Sequence, residues 1–253
     1  MSGSARAQEI KADFIAAGGL WDATWETVLN LDPELVAVCS KLASVPRRSG
    51  RLEPKTKELV ALCVDASSTH LHLPGVRQHI RTALGHGASA AELMEVLELS
   101  ATVSIHAMNV GIPILLDVAS ELGQRAGSEP RSQRQVYLQE QFTRSRGYWN
   151  TTWDAVLELD PDFFEAYTEF SSLPWRSGVL EPKVKEFMYI AFDASATHLY
   201  EVGLRLHIEN ALGYGASIGE IAEILEIAAL IGIQSVTSAA PILAEELARF
   251  RTG

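Results

Sequence analysis

Two histidines, two carboxylates and one arginine recur along this chain at a constant offset. Glu58, Asp65, His70, Arg77 and His79 return 128 residues later as Glu186, Asp193, His198, Arg205 and His207. These residue types together can move a proton. An imidazole titrates near neutral pH, a carboxylate orients it, and a guanidinium neutralises a bound carboxylate. Glu58 opens a segment that turns almost wholly apolar over residues 59–64, where a charge is costly without a partner. The expected roles follow. His79 and His207 exchange the proton, with His70 and His198 beside them, and Glu58 and Glu186 hold the imidazole tautomer. Arg77 and Arg205 take a substrate carboxylate. Thr69 and Thr197 donate hydrogen bonds to developing negative charge.

The same residues also suit a scaffold. A histidine on an amphipathic helix can simply satisfy buried polar groups. His70 and His198 each follow a threonine at a helix end, which fits a cap or hinge. Asp65 and Asp193 lie near a helix C-terminus, where an acid calls for a basic partner. Arg77 and His79 are two apart on one helix, so their side chains diverge by about 200°. His79 is therefore expected in the cleft, and Arg77 against a neighbouring helix or subunit. His70 and His72 would suggest a metal, but the second copy has His198 and Tyr200, short of the three or four ligands zinc requires. No metal is expected. Neither a phosphate-binding glycine loop nor a Ser-His-Asp signature occurs.

The elements that must position these groups are themselves duplicated. Residues 14–115 superpose on 142–243 without a gap. Asp32-Pro33 and Asp160-Pro161 pair a capping oxygen with proline at the first helical position, and Glu53-Pro54 and Glu181-Pro182 mark further starts. Ser89 with Glu92, and Ser217 with Glu220, have capping-box spacing. Gly85-His86-Gly87 and Gly213-Tyr214-Gly215 mark helix ends. Pro113 and Pro241 should begin or kink the last helix of each unit. Trp21 and Trp25, like Trp149 and Trp153, stand at i, i+4 and read as core or interface anchors. Residues 123–130 lack periodicity and read as a linker. The fold class is all-α: two helical units of about six helices each, 1–127 and 128–253.

Bulk properties narrow the function. A net charge of −11 and a pI near 5.1 argue against nucleic acid as a partner, yet leave room for a small anion held by local arginines. The first 14 residues are polar and mixed in charge, unlike a signal peptide. Wholly apolar stretches fall far short of the roughly 18 residues of a membrane span. Cys39 and Cys63 face Tyr167 and Ala191 in the other copy, so neither belongs to the repeated design. Unmatched thiols fit a reducing compartment, and the chain is expected in the cytoplasm, with no membrane partner.

Glu58-Leu59 followed by His79-Ile80-Arg81-Thr82-Ala83-Leu84-Gly85-His86-Gly87-Ala88-Ser89 and Glu92 resembles the carboxymuconolactone decarboxylase and alkyl-hydroperoxidase D-like superfamily. So does Glu186-Phe187 with the segment from His207 to Ser217 and Glu220. The resemblance spans residues 50–116 and 178–244. It implies two tandem helical repeats of that superfamily, one in 1–127 and one in 128–253. It also implies a homo-oligomer with sites near subunit boundaries, a trimer imitating a hexamer of single-repeat subunits. The hydroperoxidase branch carries Cys-x-x-Cys ahead of the family histidine. Here those positions are His72 and Gly75, then Tyr200 and Gly203, so a thiol peroxidase is excluded. The decarboxylase branch keeps the histidine and acts without a cofactor on a small carboxylated lactone. The expected function is thus a cofactor-free lyase or isomerase for a small carboxylate or lactone. Its rival is a non-catalytic ligand-binding or assembly protein of the same fold. The segment between the glutamate helix and the family histidine is about two residues longer than the family's and holds Asp-Ala-Ser-x-Thr-His, a departure that leaves the substrate open.

Overall fold

The structure, a computed structural model, describes residues 2–124, 130–146 and 149–252. Among these residues all regular structure is helical, with seven α-helices in each half rather than about six. The first half runs α1 (Ser2–Ala16), α2 (Ala23–Leu31), α3 (Pro33–Arg48), α4 (Pro54–Ala66), α5 (Leu73–Gly85), α6 (Ala90–Ala101) and α7 (His106–Glu121). The second runs α8 (Gln133–Arg146), α9 (Asp154–Leu159), α10 (Pro161–Ser177), α11 (Pro182–Ala194), α12 (Glu201–Gly213), α13 (Ile218–Ala229) and α14 (Ile231–Thr252). The presumed linker falls largely on residues 125–129, outside the described residues, and so does the break near residue 127.

Local chemistry explains most boundaries. Asp32 accepts from the Leu35 amide at 3.1 Å and Asp160 from that of Phe163 at 2.9 Å, each ahead of a first-turn proline. Ser89–Glu92 and Ser217–Glu220 close complete capping boxes. Gly87 and Gly215 take the left-handed conformation, with φ of +82° and +85°, just past α5 and α12. Pro113 and Pro241 do not begin the last helices. They lie inside α7 and α14, which begin at His106 and Ile231.

The apolar helices α4 and α11 cross at the centre of one shared core. Leu59, Val60, Leu62 and Cys63 belong to the same buried cluster as Phe187, Met188, Ile190 and Phe192. The halves then exchange their outer helices. Phe14, Trp21, Trp25 and Val28 pack on Val236 and Ala240 of α14, while Phe142, Trp149, Trp153 and Phe164 pack on Met108 and Ile112 of α7. Each tryptophan-bearing segment therefore covers the last helix of the opposite repeat. Two buried ion pairs pin this arrangement: Lys57 Nζ to Glu223 Oε1 and Lys185 Nζ to Glu95 Oε1, each 2.7 Å. The glutamates also accept from the Leu52 and Leu180 amides of the opposite half.

Against the expectation from sequence, two continuous helical runs, Ala90–Glu121 and Ile218–Arg251, are long and apolar enough to cross a membrane by length and composition. Each is two-faced. His106 and Asn109 on one run, and Gln234 and Thr237 on the other, turn inward to line cavities. Val110, Ile114, Leu115 and Val118, with Ile242, Leu243 and Leu247, lie exposed on the outer faces.

Candidate active site

The turn after α4 and its counterpart after α11 set the geometry. Leu71 and Leu199 adopt left-handed backbone, φ +49° and +52°, which costs a residue with a side chain about 1–2 kcal/mol. The turn is closed by the His72 amide donating to Asp65 O at 2.8 Å and the Tyr200 amide to Asp193 O at 2.9 Å. It brings His70 and His198 over two deeply buried carboxylates, Asp65 and Asp193. Glycine is obligatory beneath them. A Cβ on Gly75 would lie 1.7 Å from Asp65 Oδ2, and one on Gly203 would lie 2.3 Å from Asp193 Oδ2.

The family histidines each lock onto a glutamate. His79 Nδ1 meets Glu58 Oε2 at 2.7 Å, and His207 Nδ1 meets Glu186 Oε2 at 2.6 Å. Glu186 is buried and also accepts from Asn210 Nδ2 at 3.2 Å, and His207 stacks on Tyr189 with centroids 4.3 Å apart. Glu58 is half-buried, and Ala61 stands where Tyr189 does in the other half. His79 lines a cavity of about 270 Å³ and His207 one of about 180 Å³. The walls correspond: Phe14 and Trp25 face the first cavity, Phe142 and Trp153 the second. Cys39 also faces the first, and burial raises its pKa, keeping it a thiol.

Each cavity is completed from the opposite half. Gln234 enters the first, where its Nε2 donates to Asp65 Oδ1 at 2.8 Å and its Oε1 meets His70 Nε2 at 2.5 Å. His106, its counterpart under the 128-residue shift, enters the second and meets His198 Nε2 at 2.5 Å through Nδ1. His106 also stacks on Tyr200, 3.8 Å between centroids. His70 and His198 thus lie beneath the cavities and reach them through Gln234 and His106. Burial raises Asp193 to about 8. Burial, followed by the neighbouring His198 and His207, lowers His106 to about 3, and burial lowers His198 as well.

The remaining expected residues stand elsewhere. Thr69 and Thr197 are exposed and tied to Ser67 and Ser195, at 2.9 and 3.1 Å between hydroxyls, because the turn uses them locally. Arg77 and Arg205 point to solvent from the outer face of α5 and α12, and Arg205 comes no nearer Glu209 than 3.9 Å. The arginines that do line the cavities are Arg47 and Arg146. They are not counterparts: the shift places Arg47 on Trp175 and Gly18 on Arg146. Yet the Arg47 side chain lies over Gly18, with Cδ 3.3 Å from where a Cβ would stand, and the Arg146 guanidinium lies 5.6 Å from the Trp175 ring. A guanidinium reaches the same wall from opposite members of one contacting pair. Arg146 Nη2 is steadied by Ser171 O and Oγ at 2.7 and 2.9 Å.

A family model described as the Carboxymuconolactone decarboxylase family matches residues 33–109 and 161–246. A crystal structure from Burkholderia xenovorans, described as that of a candidate gamma-carboxymuconolactone decarboxylase subunit, is 49% identical. It covers 98% of each chain with a TM-score of 0.91. No curated protein matches the chain.

Proposed function

Since the chain belongs to the carboxymuconolactone decarboxylase family, we propose that it is a lyase or isomerase of a small carboxylate or lactone, with His207 and His79 as proton donors and acceptors. One observation carries this reading. The His207 imidazole is fixed by Glu186 at Nδ1, and its ring edges a cavity whose wall carries Arg146. Arg146, and Arg47 in the first cavity, replace Arg205 and Arg77 as the groups that receive the substrate carboxylate. In the decarboxylation, the bond to the departing carboxylate breaks and its electron pair delocalises into an adjacent carbonyl. The Nε2 proton of the imidazolium then passes to the new carbanionic carbon, leaving neutral imidazole that keeps its Nδ1 proton and donates it as a hydrogen bond to the glutamate carboxylate. Tyr200 and Asn109 line the same cavity and would donate to the enolate oxygen.

The two cavities are unequal in this scheme. The buried Glu186, the Asn210 amide and the stacked Tyr189 hold His207 more firmly than the half-buried Glu58 holds His79. The second cavity therefore carries the larger share of turnover. A screen of carboxylated lactones and keto acids with wild type, His79→Ala, His207→Ala and the double variant tests the reading. Loss in the double variant, mostly reproduced by His207→Ala, supports it. Equal turnover in all four removes the histidines from the reaction, and binding without turnover favours the non-catalytic alternative.

The exposed apolar faces of α7 and α14 fit contact with further copies, in keeping with the description of the Burkholderia relative as a subunit. A trimer would cover both faces. Cytoplasmic residence accords with two buried, unpaired cysteines.

A further inference from the structure

The difference between the two halves at one position is informative. In the first half the amide of Gln234 bridges Asp65 and His70, donating to one and meeting the other, which satisfies Asp65 Oδ1 and leaves only its Oδ2 without a hydrogen-bond partner. In the second half His106 stands in its place and cannot do the same. Its Nδ1 is engaged with His198 Nε2 at 2.5 Å, and it lies 3.7 Å from Asp193 Oδ1. Asp193 is 0% exposed, and neither of its side-chain oxygens has a hydrogen-bond partner. No lysine or arginine pairs with it among the described residues. A carboxylate in that position lacks a cation, while two imidazole nitrogens converge on the same point.

We infer that His106, His198 and Asp193 form a binding site for one divalent transition-metal ion of the zinc type, assembled across the two halves and peculiar to the second. The three ligand atoms lie within 4.8 Å of one another. His106 Nδ1 and His198 Nε2 stand 3.7 and 3.9 Å from Asp193 Oδ1, close to the spacing of about 3.5 Å for ligands at 2.0–2.2 Å around a tetrahedral zinc. Binding requires the two nitrogens, now 2.5 Å apart, to part by about 1 Å, a side-chain adjustment that replaces their mutual hydrogen bond with two metal bonds. Two imidazoles and one carboxylate are a donor set that zinc, cobalt and iron(II) accept. Of the three residues, His106 lines the cavity, whereas Asp193 and His198 lie beneath it. This departs from the expectation of no metal, which rested on His70 and His72. The third ligand comes from the opposite repeat, at a position where the copies differ.

Titration of the chelator-treated, tag-free chain with Zn(II) by calorimetry, and with Co(II) by its ligand-field spectrum, tests the site without reference to activity. The wild type should take up one equivalent. His106→Gln, which installs the residue the first half already carries, should lose at least tenfold in affinity while keeping the wild-type circular dichroism. Asp193→Asn should lose it likewise. The reciprocal Gln234→His should gain a second equivalent. Failure of the wild type to bind either ion, or binding by His106→Gln and Asp193→Asn at wild-type affinity, overturns the inference.

Discussion

An imidazole tethered at Nδ1 works through Nε2, so the glutamate that tethers it should govern the rate more than substrate affinity. Glu186→Gln removes the charge that stabilises the imidazolium while keeping the shape. We expect kcat to fall about 100-fold or more, within the range for loss of acid–base catalysis, with a smaller change in KM. Arg146→Met should do the reverse, raising KM about 10- to 100-fold, the worth of a hydrogen bond to a charged group. Steady-state kinetics on the two variants separates these outcomes, and matched effects on both constants in both variants would contradict the assigned roles. At this scale the sequence disclosed only what the two copies share. Glu58, His79 and their counterparts were legible because a constant offset preserves them. Gln234 and His106 were not, because they differ and because each serves the other half's cavity. Arg47 and Arg146 were hidden for a related reason. The guanidinium is retained in space while its position in the sequence is exchanged with a neighbour.

Helix starts were the most legible elements because a cap is local chemistry. Ser217→Ala should cost about 1 kcal/mol of stability, measured by chemical denaturation, since it frees the Glu220 amide that the hydroxyl now satisfies. In the corresponding box of α6, the acid Glu92 adds a pH dependence. Burial raises the Glu92 pKa, but the Lys55 ammonium and the Ser89 amide outweigh it and hold the carboxyl below its ordinary value of 4.5. A depressed folded-state pKa means that the unfolded chain binds the proton first. This contribution is present above about pH 4.5 and is lost as pH falls through the folded value. Glu92→Gln should therefore reduce stability near neutrality and narrow the gap to wild type in acid. A gap that widens on acidification would contradict the cap. The last helices were less legible. Proline is compatible with a helix start or an interior position, and Pro113 and Pro241 sit within α7 and α14, where packing against the tryptophan segments offsets the missing hydrogen bond.

At the scale of the whole chain, the exchange of outer helices was invisible in the sequence. The apolar pattern of α7 and α14 is the same whichever tryptophan segment covers it. The consequence is cooperative. Lys185 is buried against Glu95, so Glu95→Gln leaves an uncompensated ammonium in the core and should cost about 3–5 kcal/mol. Unfolding should remain a single transition that moves as one, and two separate transitions would contradict a shared core. Residues 1–127 expressed alone should fail to fold for the same reason, as circular dichroism would report. The uncovered faces of α7 and α14 predict self-association, which the family resemblance makes a trimer; sedimentation at micromolar concentration should show it, and a monomer at every concentration would contradict that assembly.

The account turns on a proton delivered to carbon by His207. With an accepted substrate in D₂O, wild-type product should carry one deuterium at the carbon that loses carbon dioxide, and His207→Ala should form that product at a small fraction of the rate. Undiminished formation of the deuterated product by His207→Ala would contradict it.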